Sequence, residues 1–138
     1  MKQLVKIKET HMIGIVVVSH SSKVAEGVVE IAKQVSNEEI PIMAAGGTSD
    51  GRIGTDAIKI KEAIESVDQG NGVLIFVDLG SAILSAETAI DLLDMTSVEI
   101  VDAPLVEGVI ASSVQLTITD DIEDVKRVAH ESKNISKI

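Results

Sequence analysis

Cysteine is absent from this chain, which removes both a disulfide framework and a thiolate zinc site. With His11, His20 and His130 spread along the sequence as the remaining nitrogen ligands, no metal site and no cofactor are expected. Phe76 is the sole aromatic residue. Stacking platforms for single-stranded nucleic acid are therefore missing, and a net charge of −10 would repel a phosphate backbone, so nucleic-acid binding is excluded. Long apolar runs are missing too: the longest, Ile13–Val18, falls far short of the roughly 20 residues that cross a bilayer. With no signal-peptide pattern, the expectation is a cytoplasmic protein without membrane contact.

What remains is a 138-residue chain with 45% hydrophobic residues, enough for one domain whose core is Ile, Val, Leu and Ala. Residues 1–11 read as an expression tag, because His11-Met12 fits a cloning site joined to a start codon and the Lys-rich segment contrasts with the acidic remainder. Without it, 9 basic and 21 acidic residues leave a net charge of −12 on a single domain, 12–138.

The organising stretch is IGIVVVSHSSKV, residues 13–24. A β-branched apolar run that breaks at Ser19-His20-Ser21-Ser22 and passes straight into helical periodicity predicts a buried parallel strand delivering a histidine to a helix start. The carboxyl ends of strands are where open α/β sheets bind ligands, and free N–H groups at a helix start favour anions. Apolar positions Val24, Val28, Ile31 and Val35, with Ala25 and Ala32 beside them, predict the helix face, with Ser21 or Ser22 as N-cap. These serines are equally well explained by capping alone or by ligand contact.

A second strand is expected over 40–45, ending in the loop Gly46-Gly47-Thr48-Ser49-Asp50-Gly51, where absent Cβ atoms allow close approach; a simple turn explains the loop as well. Thr55-Asp56 then starts a helix with Ala57, Ile60, Ile64 and Val67 inward. The strand Val73–Val77 follows and ends on Asp78-Leu79-Gly80-Ser81 at another helix start, with Ile83, Ala86, Ile90 and Leu93 as its stripe. A fourth strand over 98–101 leads to a helix begun near Pro104, with Val106, Val109, Ile110 and Val114 inward. Asp120-Asp121-Ile122-Glu123 resembles a capping box for a last helix carrying Ile122, Val125 and Ala129. Residues 131–138 are expected to fray.

The order βαβαβαβαα predicts a three-layer α/β/α fold around a doubly wound, mostly parallel sheet of four strands, ordered 2-1-3-4. Its two most apolar strands would then be central neighbours, bringing His20 to Asp78. A carboxylate on one imidazole nitrogen fixes the tautomer and turns the other lone pair outward, making a nucleophile for phosphoryl groups. Taken singly, each residue is as well explained by capping or a satisfied polar contact. Ser-His-Asp hydrolysis is disfavoured, because the Gly-x-Ser-x-Gly elbow is absent and Ser19, Ser21 and Ser22 adjoin the histidine in sequence.

The segments VVVSHSSKVAEGV, AAGGTSDGRIGTDA, VLIFVDLGSAILSAE and APLVEGVIASSVQ together resemble the phosphotransferase subunits of dihydroxyacetone kinase, which belong with the mannose-type IIA proteins. The likeness extends over Met12–Ala129. It implies that His20 carries a phosphoryl group and Asp78 orients it, with Ser21, Ser22, Gly46, Gly47, Thr48, Gly80, Ser81 and Ser112 lining the pocket. It further implies HPr as donor, ADP on the nucleotide subunit of the kinase as acceptor, and a homodimer. HPr-like and enzyme-I-like domains fused in some relatives are expected to act in trans here. A IIA component serving a sugar permease, or a regulatory binding module, are the other readings.

Overall fold

A computed structural model of the chain describes residues 11–95 and 97–138, so residues 1–10, the bulk of the expected tag, lie outside the described residues. Four strands, β1 (Gly14–Ser19), β2 (Ile42–Gly46), β3 (Val73–Val77) and β4 (Val98–Ile100), pair in parallel in the order β2-β1-β3-β4. Among the described residues, five α-helices alternate with and follow them: α1 (Ser22–Val35), α2 (Ala57–Val67), α3 (Ser81–Asp91), α4 (Leu105–Gln115) and α5 (Ile122–Glu131). This is the expected three-layer α/β/α fold and strand order.

Because both faces are covered, the central strands are buried on both sides and, apart from Ser19 at the end of β1, carry no polar residue, rather than alternating. Ile15, Val17, Leu74 and Phe76 point to one layer, against α1, α4 and α5, while Val16, Val18, Val73 and Ile75 point to the other, against α2 and α3. Phe76 is fully buried, which stabilises the fold by about 1.5–3 kcal/mol relative to exposure.

The helix faces depart from expectation. In α1 the residues turned inward are Ala25, Val28 and Ala32, while Val24, Ile31 and Val35 are each about half exposed. In α3 the buried side is Ala82, Ala86 and Ala89, and Ile83 and Leu84 face outward. In α4, Val109 is buried beside Gly108, Ser112 and Ser113, leaving Val106 and Val114 partly exposed. Small side chains let a helix lie close on a sheet, so the larger residues beside them are displaced to the rim. The tail also departs from expectation: Ser132–Asn134 forms a 3₁₀ turn, Ser132 is buried, and Lys137 pairs with Glu107 of α4 at 2.6 Å.

Candidate functional site

The carboxyl ends of β1 and β3 are adjacent in register, Val18 opposite Val77, and the next residues out are those that matter. The strand pairing continues one step further, with Asp78 N–H donating to the Val18 carbonyl at 3.2 Å. His20 follows Ser19 and precedes the N-cap of α1, Ser21, whose Oγ accepts from Val24 N. On the other flank the loop after β2 closes against it: Gly47 N–H donates to the Ser19 carbonyl at 3.1 Å and Gly54 N–H to the His20 carbonyl at 2.9 Å. The histidine backbone is held from both neighbouring strands.

Its ring is held as firmly. Nδ1 lies 3.0 Å from Asp78 Oδ1 and Nε2 lies 2.7 Å from Ser81 Oγ, with about a fifth of each of the His20 and Asp78 side chains exposed. Asp78 is saturated. Oδ1 accepts from Leu79 N–H at 2.7 Å as well as from the ring, and Oδ2 accepts from Ser19 Oγ at 2.9 Å and from His20 N–H at 3.0 Å. Partial burial works to raise the pKa of this carboxyl, but hydrogen bonds from the His20 N–H, the Ser19 hydroxyl, the His20 ring and the Leu79 N–H outweigh it and hold the pKa below its ordinary value. An anionic acceptor facing Nδ1 requires a proton there, so the neutral ring keeps its lone pair on Nε2, at the outer side, where the Ser81 hydroxyl donates to it.

His20, Asp78 and Ser81 are thus brought together, and Gly80 sits beside them as the residue before α3. Ser21 and Ser22 open α1. Gly46 passes so close to α1 that a Cβ there would lie 2.7 Å from the Ser21 carbonyl oxygen; Gly47 takes φ +70°, which favours glycine. The Thr48 hydroxyl is engaged within its own loop, with Asp50 at 2.5 Å and with Arg52 N–H at 3.0 Å. Ser112 is different: it is wholly buried in α4 and its Oγ has no hydrogen-bond partner among the described residues, so it lines no open pocket. The reason is the close packing of α4, which turns its small polar residues into the sheet side. Sequence reasoning overlooked three contacts: Ser19 on Asp78, the Thr55–Ser85 hydroxyl pair at 2.5 Å that joins the glycine loop to α3, and Lys59 Nζ on the Gly46 carbonyl at 2.8 Å. A polar residue ending an otherwise apolar buried strand was the available signal for the first.

Among the described residues, no group of three or more His, Cys, Asp or Glu side chains is gathered for a metal ion, and no helix is long and apolar enough to cross a membrane. A cavity of about 500 Å³ lies between Met12 and the Leu116–Asp120 turn, before the start of β1 and so at the opposite end of the sheet from His20. It has no part in this chemistry. A cleft beside Asp78 is lined by Leu79, Gly80, Ile83, Glu87 and Asp102.

Comparison with known proteins adds to this geometry. The family described as PTS system fructose IIA component (EIIA-man) matches residues 14–126. The phosphoryl donor subunit DhaM of PEP-dependent dihydroxyacetone kinase 2 from Listeria innocua is 44% identical over 117 residues, covering 83% of this chain and 94% of that one. The corresponding DhaM of Escherichia coli is 46% identical over 120 residues, and the chain spans only 25% of its length. A crystal structure of a protein of unknown function superposes with a TM-score of 0.78 at 41% identity, covering 87% of this chain and 94% of the other. A Streptococcus agalactiae phosphotransferase system EIIA component, 12% identical, superposes with a TM-score of 0.67 over 91% of this chain and 97% of its own, a likeness of fold alone.

Proposed function

Because the chain belongs to the EIIA-man family, and within it to the phosphoryl donor subunits (DhaM) of PEP-dependent dihydroxyacetone kinases, we propose that His20 is the residue that carries the phosphoryl group. The observation that carries this reading is the split of the imidazole: Nδ1 on the Asp78 carboxylate at 3.0 Å, Nε2 facing a hydroxyl at the outer side at 2.7 Å.

In the loading step the Nε2 lone pair attacks phosphorus on the phosphohistidine of HPr. The new Nε2–P bond forms as the donor's N–P bond breaks, and the donor imidazole leaves with the electron pair. The positive charge left on the His20 ring is shared with Nδ1–H and stabilised by Asp78, which is neither protonated nor consumed. Ser81 donates to Nε2 in the resting site, so its hydroxyl must leave the lone pair before attack, and an equatorial phosphoryl oxygen is the acceptor within its reach. In the unloading step a β-phosphate oxygen of ADP on the kinase's nucleotide subunit attacks the same phosphorus. The Nε2–P bond breaks, ATP forms and the neutral ring is restored. A site at the mouth of the sheet suits a carrier that two proteins must reach in turn.

A homodimer working in the cytoplasm completes the proposal. Its support is the apolar stripe Val24, Ile31 and Val35 on α1, whose neighbour α4 exposes Val106 and Val114. The test of the carrier role is incubation with labelled phosphoenolpyruvate, enzyme I and HPr. Acid-labile, base-stable label that is lost in His20→Ala is expected; no label at all points to a regulatory module. Label that fails to reach dihydroxyacetone when the kinase subunits and ADP are added points to a sugar permease as the client.

A further inference from the structure

Ser19 ends the most buried strand of the sheet, and it is itself fully buried. Its hydroxyl has two partners. Ser21 N–H donates to Oγ at 3.0 Å, and Oγ lies 2.9 Å from Asp78 Oδ2. A backbone amide can only donate, so one lone pair of Oγ is taken and the hydroxyl proton is left for the carboxylate. The direction of the second bond is thereby fixed by the first. Oδ2 then has two donors, Ser19 Oγ and His20 N–H, which pin the carboxylate plane so that Oδ1 faces Nδ1 of the ring.

We propose that Ser19 is a positioning residue for phosphoryl transfer, acting through Asp78 to keep the His20 proton on Nδ1 and the lone pair on Nε2. The proposal rests on the reading of His20 as the carrier. Histidine side chains free in water prefer the opposite tautomer, with the proton on Nε2, where attack on phosphorus is blocked. The protein must reverse that preference, and it does so with one carboxylate whose aim depends on a hydroxyl that water cannot replace in a fully buried position. The Ser19 hydroxyl is fully buried and bonded to Asp78 and Ser21 N–H rather than to the ring, so it takes no part in bond making; its effect is transmitted by the orientation of Oδ1.

The test uses Ser19→Ala, Ser19→Cys and Ser19→Thr in the full chain. Imidazole ¹⁵N shifts of His20, read without any phosphoryl donor, are expected to show protonated Nδ1 in the wild type and in Ser19→Thr, which keeps a hydroxyl. A mixture of tautomers is expected in Ser19→Ala, and an intermediate state in Ser19→Cys, which keeps the volume but donates weakly. Phosphoryl loading from HPr should fall in the same rank order, by about ten- to a hundredfold in Ser19→Ala, the range of a hydrogen bond to a charged group. A wild-type tautomer signature in Ser19→Ala overturns the proposal. Should Ser19→Ala fail to fold, identical spectra and rates for the Cys and Thr variants overturn it instead. If wild-type protein takes no label while the tautomer still follows the hydroxyl, the carrier reading has failed and the positioning role has not.

Discussion

Asp78→Asn tests the site more severely than removal of the side chain. Asparagine matches aspartate in shape, yet each carboxylate oxygen here accepts two hydrogen bonds, from Ser19 Oγ and His20 N–H on Oδ2 and from the ring and Leu79 N–H on Oδ1. Wherever the amide NH₂ is placed, it meets two donors. With the amide oxygen on the Oδ2 side, the NH₂ faces Nδ1, and the ring can accept from it only by moving its own proton to Nε2. The nucleophilic lone pair is then gone. The expected cost is about 10⁴-fold in the rate of loading, or about 5.5 kcal/mol in the barrier, the scale seen when a triad histidine is forced into the wrong tautomer. The unpaired amides left behind cost about 1–3 kcal/mol of stability. Rapid-quench measurement of label transfer from HPr, paired with ¹⁵N shifts of His20, reads both. Loading within tenfold of wild type, with Nδ1 still protonated, would refute the reasoning.

Other perturbations have definite outcomes. Gly46→Ala should cost about 1–3 kcal/mol in urea unfolding and slow loading as well, because its Cβ would sit 2.7 Å from the Ser21 carbonyl oxygen and 2.8 Å from Ser22 Cα, and the turn carrying His20 must yield; an unchanged midpoint contradicts this. Asp121 caps α5 through Glu123 N–H at 3.0 Å, so Asp121→Ala should lose about 1 kcal/mol with loading unaffected. Since the folded pKa of Asp78 lies below its ordinary 3.8, its contribution to stability is fully present above that value and is lost as pH falls through the lower folded pKa. The stability gap between wild type and Asp78→Asn, followed by denaturation from pH 6 downward, should therefore narrow in acid; a widening gap reverses the sign. Val24→Lys with Ile31→Lys should convert the expected dimer to a monomer in light scattering, and a monomeric wild type removes the dimer from the proposal.

The strands and their order were legible because a parallel sheet covered on both faces needs short unbroken apolar runs rich in β-branched residues, and Ile13–Val18 and Val73–Val77 are such runs. The neighbourhood of His20 and Asp78 followed from that order. The helix faces were not legible in the same way. Periodicity in α1 marks Val24, Ile31 and Val35 as readily as Ala25 and Ala32, and only the closeness of the helix to the sheet selects the alanines. For the same reason Ser112, in the inward face of α4, could be taken for a pocket residue. Ser19 was visible as a serine beside the histidine, but its value lies in which way it points, and a one-residue change in strand parity would have aimed it elsewhere.

The crowding of donors around Asp78 also limits how the ring can exchange hydrogen with water. With every direction on the carboxylate occupied and Nδ1 enclosed against it, a solvent proton can arrive only at the outward nitrogen, the same atom that takes the cargo. Exchange with solvent and receipt of cargo therefore share one berth, so the geometry that opens the carrier to its partners is the same geometry that opens its ring to water.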